Sequence, residues 1–222
     1  MGYYVHEVNT NTTSASDEVE DNSSASFLYD REGNRKYLTR AERNAFLAAA
    51  AHMSPEVQTF CLTLAYTGAR ISEILALTPK RIDTSARIVI IESLKKRKRG
   101  IYRAVPVPWE LIIELERVHS IEAARLHPEQ AKQRIWRFCR TAAWKWVKAC
   151  LHNAGIVGPP ATPKGLRHAF GVETLQSGVP INLVKKWLGH ARLETTEVYT
   201  NAVGNEEQMI AKRFWQTFDR ED

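Results

Sequence analysis

The run Arg87-Ile88-Val89-Ile90-Ile91-Glu92, answered across a basic turn by Tyr102-Arg103-Ala104-Val105-Pro106-Val107, decides the fold class. β-Branched side chains crowd a helix and pack well on a pleated surface, so the first run reads as a strand and the second as its hairpin partner. Outward from this hairpin the signals are helical. Upstream, Thr39-Arg40-Ala41-Glu42 fits a capping box and opens an Ala-rich helix to about His52. Pro55 suits a first helical turn, the next helix runs through Cys61-Leu62-Thr63-Leu64-Ala65-Tyr66, and Gly68 stops it. A short helix spans about Ile71 to Leu77. Downstream, the spacing predicts helix from Trp109, a long amphipathic segment over about 128–153, a breaker-rich loop over 155–163, and helices near 165–177, 180–188, 193–201 and 205–218. The expected class is mainly α with a small antiparallel β-sheet (α+β), without internal repeats.

Charge is distributed unevenly. Residues 1–30 carry six acids (Glu7, Asp17, Glu18, Glu20, Asp21, Asp30) and no lysine or arginine. Taking those six from the chain's 25 acids leaves 31 basic against 19 acidic side chains beyond residue 30, a net of +12. A domain this basic suits a polyanion, nucleic acid first. Residues 1–36 are polar and lack an apolar period, so they are expected to form a disordered acidic leader to an ordered region at 37–222. Cys61, Cys139 and Cys150 lack metal-site spacing and sit in apolar, helix-like runs, where reduced core or near-core thiols are expected. No apolar stretch approaches the roughly 18 residues of a membrane span, and no signal peptide is recognisable, so the expected setting is intracellular.

Four separated blocks carry side chains suited to phosphate chemistry: Thr67-Gly68-Ala69-Arg70-Ile71-Ser72-Glu73, the turn at Lys95 and Lys96, Lys164-Gly165-Leu166-Arg167-His168, and Leu188-Gly189-His190 with Tyr199 nine residues on. An arginine presents a planar fork to a phosphate, and Glu73, one turn after Arg70, can hold such a group in place. Alone, each reads as an ordinary surface residue. Lys95, Lys96, Arg97, Lys98 and Arg99 form a basic turn that attracts a DNA backbone. Lys95, which directly follows the strand, is the first candidate for a general acid, and Lys96 the alternative. Lys164 and Arg167, three apart, share a helix face behind Pro163, with His168 pointing elsewhere in a structural role. His190 follows a helix-ending glycine, where a histidine commonly only caps. A lone helical tyrosine is usually packing, but Tyr199 among these cations has what a nucleophile needs. No spacing supports a metal site. The set is suited to phosphodiester transesterification through a phosphotyrosine, with neither metal nor nucleotide cofactor.

In this order and spacing the blocks resemble the tyrosine recombinase (integrase) family, over about residues 37–215. The resemblance implies a catalytic DNA breaking and rejoining domain. Arg70 and Arg167 would clamp the scissile phosphate, Lys95 would protonate the leaving 5′ oxygen, Lys164 and His190 would assist proton transfer, and Tyr199 would attack. Lys164 stands where most members have histidine. The resemblance also implies double-stranded DNA as partner, a homotetramer on paired sites, an accessory DNA-binding protein, and a cytoplasmic, nucleoid-associated setting in a prokaryote or mobile element. A helical core-binding domain usually precedes the catalytic one; residues 1–36 are too few and too polar for it. The apolar face of the 205–218 helix would complete its own core or dock on a neighbour. Competing readings are a type IB topoisomerase-like enzyme and a non-catalytic DNA-binding accessory.

Overall fold

The computed structural model describes residues 28–94 and 100–190, together with Thr196 and Tyr199. The basic turn at 95–99, the 205–218 helix and most of the 193–201 helix therefore lie outside the described residues. Order begins earlier than the composition suggests. Leu28 is fully buried, Tyr29 and Arg35 form a β-bridge, and Gly33 at φ +80° closes the turn between them. Asp30 Oδ1 accepts from the amides of Glu32 and Asn34, and Arg35 makes a bidentate pair with Glu42. Residues 28–36 look like leader because their polar side chains bond one another rather than showing an apolar period.

The capping box at Thr39 forms as expected, with Glu42 N donating to the threonine hydroxyl and Thr39 N to the glutamate. It opens helix α1, Arg40–Ala50. Helix α2, Pro55–Thr67, carries Pro55 in its first turn and ends at Gly68, whose φ is +60°. A Cβ there would also lie 2.5 Å from the Phe170 ring, so the position demands glycine for backbone and space alike. Helix α3, Ile71–Leu75, follows directly.

Strands β1 (Ile82–Asp83), β2 (Ile88–Glu92) and β3 (Tyr102–Pro106) form an antiparallel sheet in the order β1-β2-β3. The hairpin expected from sequence is β2–β3, in register Val89↔Val105 and Ile91↔Arg103; the two-residue β1 is additional. Val89, Ile91, Arg103 and Val105 are all buried, so a charged residue occupies an inward place in an otherwise apolar alternation.

Helices α4 (Trp109–His119) and α5 (Ile121–Leu126) meet at Ser120 with φ +48°. The long helix expected over 128–153 is only its second half: α6 spans Arg140–Asn153. Before it the chain is pinned into the core. Ile135 N donates to Leu77 O, buried Trp136 donates from Nε1 to Thr59 Oγ1, and its ring meets Phe60 edge-on at 5.5 Å. Burying the indole this way outweighs helical continuity. Cys139 caps α6 through its thiol and is exposed, unlike the buried Cys61 and Cys150, so one of the three expected core thiols lies at the surface.

Helix α7, Pro163–Gln176, starts from Thr162, whose hydroxyl accepts from Gly165 N, and α8 spans Ile181–Leu188. α7 packs on α2, α1, α6 and α8, and α8 touches β3. One core of side chains runs from Leu28 to Leu188 and takes in Tyr199. Among the described residues no helix is long and apolar enough to cross a membrane.

Gly165 tests this packing. Alanine within a helix ordinarily stabilises by about 1 kcal/mol. Here the new Cβ would lie 2.0 Å from the carbonyl oxygen of Pro160, a backbone atom that cannot rotate away. Gly165→Ala is expected to destabilise by about 2 kcal/mol, lowering the melting temperature by about 4–8 °C. A raised melting temperature would contradict this packing.

Candidate active site

Arg70 precedes α3 and Glu73 lies in its first turn, where the carboxylate receives the Arg70 amide at 3.0 Å and Arg70 Nη1 at 3.0 Å. The Arg70 side chain remains about one-third exposed, whereas that of Glu73 is buried. Glu73 Oε2 also receives Nη2 of Arg103 at 2.6 Å. Burial pushes the Glu73 carboxyl up, but Arg103, the amide and Arg70 more than offset it and hold the group below its usual range. Glu73 thus supports Arg70 as the sequence suggested, and Arg103 is a third member that sequence reasoning missed. Its register with Val105 and Val107 marks it as inward-facing, the one signal that could have found it.

Arg167 projects from the first turns of α7. Its Nη1 donates to Gly68 O and its Nη2 to Leu188 O, both at 2.7 Å. The guanidinium therefore ties the loop before Arg70 to the end of α8. Burial, with the Arg70 charge next, pulls its pKa down to about 10, so it stays cationic at neutral pH. Lys164 lies one turn earlier on the same side of α7 and lines the same pocket.

His190 directly follows Gly189, whose φ of +69° ends α8. Its Nδ1 is 2.9 Å from Thr196 Oγ1, and its ring stacks on Tyr199 with centroids 6.1 Å apart and planes 13° apart. The Tyr199 ring lies over Gly171, where a Cβ would come within 2.7 Å of it. The phenol oxygen is 3.1 Å from His168 Nδ1. His168 does not point elsewhere, as expected from sequence; it faces Tyr199 from the pocket wall. The expectation failed because adjacent helical residues 100° apart can both border a broad cleft.

Burial sets the resting protonation. It pushes Tyr199 up to about 12 against the opposite pull of Arg167 and Arg70. It also drives His168 down to about 3, helped by Lys164 and Arg167, and His190 down to about 3, helped by Arg167 and Arg70. At neutral pH the phenol keeps its proton while both imidazoles are uncharged.

Arg70, Lys164, Arg167, His168, His190 and Tyr199 line one pocket of about 610 Å³, with Ser72, Arg140, Trp144 and Thr162 on its walls. Arg140 and Trp144, one turn apart on α6, were not singled out from sequence because the expected helix ran unbroken through them. Lys95, Lys96, Arg97, Lys98 and Arg99 lie outside the described residues; the strands flanking them end beside Glu73 through Arg103. Among the described residues no group of three or more His, Cys, Asp and Glu could hold a metal ion. The arrangement can bind a singly charged phosphate diester between two guanidiniums and bring a phenol against it.

The histidines give the free protein a pH signature. His119, held by burial near 4, titrates with His168 and His190 far below the unfolded value of 6.5. Below pH 6.5 the unfolded chain binds protons that the folded chain refuses, so stability falls as pH drops. Glu42 and Glu73, depressed from 4.5, lose their stabilising contribution only at lower pH. The denaturation midpoint is therefore expected to fall between pH 7 and 5, before the carboxylates contribute. An unchanged midpoint over that interval would contradict the burial of these rings.

The chain is similar to known proteins in both sequence and fold. The phage integrase family matches residues 36–206. Tyrosine recombinase XerD of Mycobacterium tuberculosis is 35% identical over 147 residues, covering 60% of this chain and 44% of that protein. Tyrosine recombinase XerA of Thermococcus kodakarensis is 29% identical over 168 residues, covering 74% and 57%. The chain thus spans about half the length of the curated relatives it matches. A crystal structure of XerA recombinase superposes with a TM-score of 0.63 at 26% identity, covering 80% of this chain and 62% of that one. The catalytic domain of bacteriophage HP1 integrase shares the fold, with a TM-score of 0.57 at 21% identity over 79% of this chain and 93% of that one. With the family's match extending over most of its residues and the expected basic and aromatic side chains meeting in one cleft, the chain belongs to the phage integrase family.

Proposed function

We propose that this domain cuts and rejoins double-stranded DNA at specific sites through a transient 3′-phosphotyrosyl bond at Tyr199. The observation that carries this reading is the convergence of Arg70, Arg167, His190 and Tyr199, from three separate blocks of sequence, on one pocket. Family membership, relatives named tyrosine recombinases, and a similar fold in a solved XerH recombinase bound to its difH substrate support it.

Arg70 and Arg167 bind the non-bridging oxygens and stabilise the extra charge of the pentacoordinate transition state. Tyr199 Oη forms a bond to phosphorus as the bond from phosphorus to the 5′ oxygen breaks. The phenol proton passes to a neutral neighbouring base, and Lys95, or alternatively Lys96, protonates the departing 5′ oxygen. Lys164 and His190 contact the phosphate and assist proton transfer. The phosphotyrosyl ester retains the energy of the phosphodiester, so resealing needs neither metal nor ATP. The working assembly is a homotetramer on paired sites, aided by a separate DNA-binding protein, in the cytoplasm of a prokaryotic cell or mobile-element host. Because the resting phenol is un-ionised, it loses its proton as it attacks phosphorus.

Covalent capture tests the reading. The protein is incubated with fragmented, randomly nicked genomic DNA from its source, denatured with detergent, and the attached DNA sequenced. One enriched sequence is expected, with no adduct from Tyr199→Phe and a loss of about 100-fold or more from Arg70→Ala or Arg167→Ala. DNA binding without any adduct would overturn the reading in favour of a binding module.

A further inference from the structure

Arg103 is a buried arginine outside the blocks that carry the proposed chemistry, and it bonds to the supports of three of them. Its Nη2 reaches Glu73 Oε2 at 2.6 Å, and Glu73 holds both the amide and the guanidinium of Arg70. Its Nε donates to Trp187 O at 2.7 Å, in the last turn of α8 and three residues before His190. Its Nη1 donates to Ser93 Oγ at 3.2 Å, two residues before Lys95 at the end of β2. The side chain lies so close to the α8 end that a Cβ on Gly189 would meet it at 3.1 Å.

We propose that Arg103 is a positioning residue for DNA cleavage: one guanidinium fixes the helix start bearing Arg70, the turn bearing His190 and the strand leading to Lys95. This rests on the function proposed above. A fork with three differently directed donors is what the task requires. Lysine keeps the charge beside Glu73 but cannot hold three partners in one plane. Losing the fork leaves the catalytic side chains present but misplaced, and misplacement by about 1 Å costs about 100-fold in rate. The part exerted through Lys95 is separable chemically, because a thiolate leaves without the proton an alkoxide needs.

The test uses the duplex recovered by covalent capture, nicked so that cleavage is trapped, with either oxygen or sulfur at the bridging 5′ position of the scissile phosphate. Adduct formation is timed for wild type, Arg103→Met, Arg103→Lys and Tyr199→Phe, with duplex affinity and melting temperature measured alongside. For Arg103→Lys, near-native melting and an affinity within about threefold are expected with cleavage about 100-fold slower on the oxygen substrate. Sulfur should shrink that deficit by about tenfold or more. Arg103→Met should show the same pattern with a lower melting temperature, and Tyr199→Phe should give no adduct on either substrate. A folded Arg103→Lys that cleaves at the native rate would overturn the positioning role while leaving the recombinase reading intact, and a loss that is equal on both substrates would overturn the part exerted through Lys95. Absence of a wild-type adduct on the captured duplex would overturn both.

Discussion

Two consecutive carbonyls at the end of α8, those of Trp187 and Leu188, are each claimed by a guanidinium from elsewhere in the chain. The last carbonyls of any helix lack partners within it and carry the negative end of its dipole, so cations are favoured there. In this protein the cations are Arg103 from β3 and Arg167 from α7. The first is paired with Glu73, which holds Arg70, and the second is bonded to Gly68 O, two residues before Arg70. Sheet, α3, α7 and α8 are therefore joined at a single point, and the pocket is the space left beside it. Gly189 must turn left-handed there, which delivers His190 into the cleft.

This junction concentrates positive charge. Arg70 and Arg103 share the Glu73 carboxylate, Arg167 is bonded to backbone carbonyls instead, and repulsion from the other two arginines adds to burial in pulling Arg167 down. Burial, with these charges second, keeps the two histidines neutral, and the tyrosine keeps its proton because burial outweighs the cations. Such a site is electrostatically incomplete until an anion enters. A phosphodiester would relieve the arginine repulsion and favour proton acceptance by the imidazoles, so under the proposed function phosphate binding and acid-base readiness would be coupled by the same charges.

How much of this was legible in the sequence depended on whether residues acted locally. The capping box at Thr39, the Gly68 stop and the β2–β3 hairpin follow from neighbours a few residues away, and all three stand as expected. The α+β class and the blocks holding Arg70, Arg167, His190 and Tyr199 were readable as well. Residues 28–36 and 133–139 were misjudged because tertiary partners decide them: Leu28 enters the core, and Trp136 reaches Thr59 across 77 positions. Arg103 was overlooked for the same reason. Its three partners lie at 73, 93 and 187, and no motif records their meeting.

His168 shows how a correct pattern can be read too narrowly. Lys164, Arg167, His168 and Gly171 stand at i, i+3, i+4 and i+7 on α7, the spacing of one helical stripe. Reading only the first two as a face left the third as packing and ignored the fourth. In the structure the stripe is continuous: Lys164 and Arg167 face the open pocket, His168 meets the phenol oxygen, and Gly171 supplies the notch that accepts the tyrosine ring. A single helix thus carries both the groups that would hold a phosphate and the cradle that stores the group that would attack it. Its orientation is fixed by Thr162 at one end and by the Arg167 bonds to Gly68 and Leu188 on its inner side. The resting position of the Tyr199 ring is consequently referenced to Arg167 on the same helix. Any shift of α7 moves Lys164, Arg167 and the cradle together, so their relative placement survives small movements of that helix.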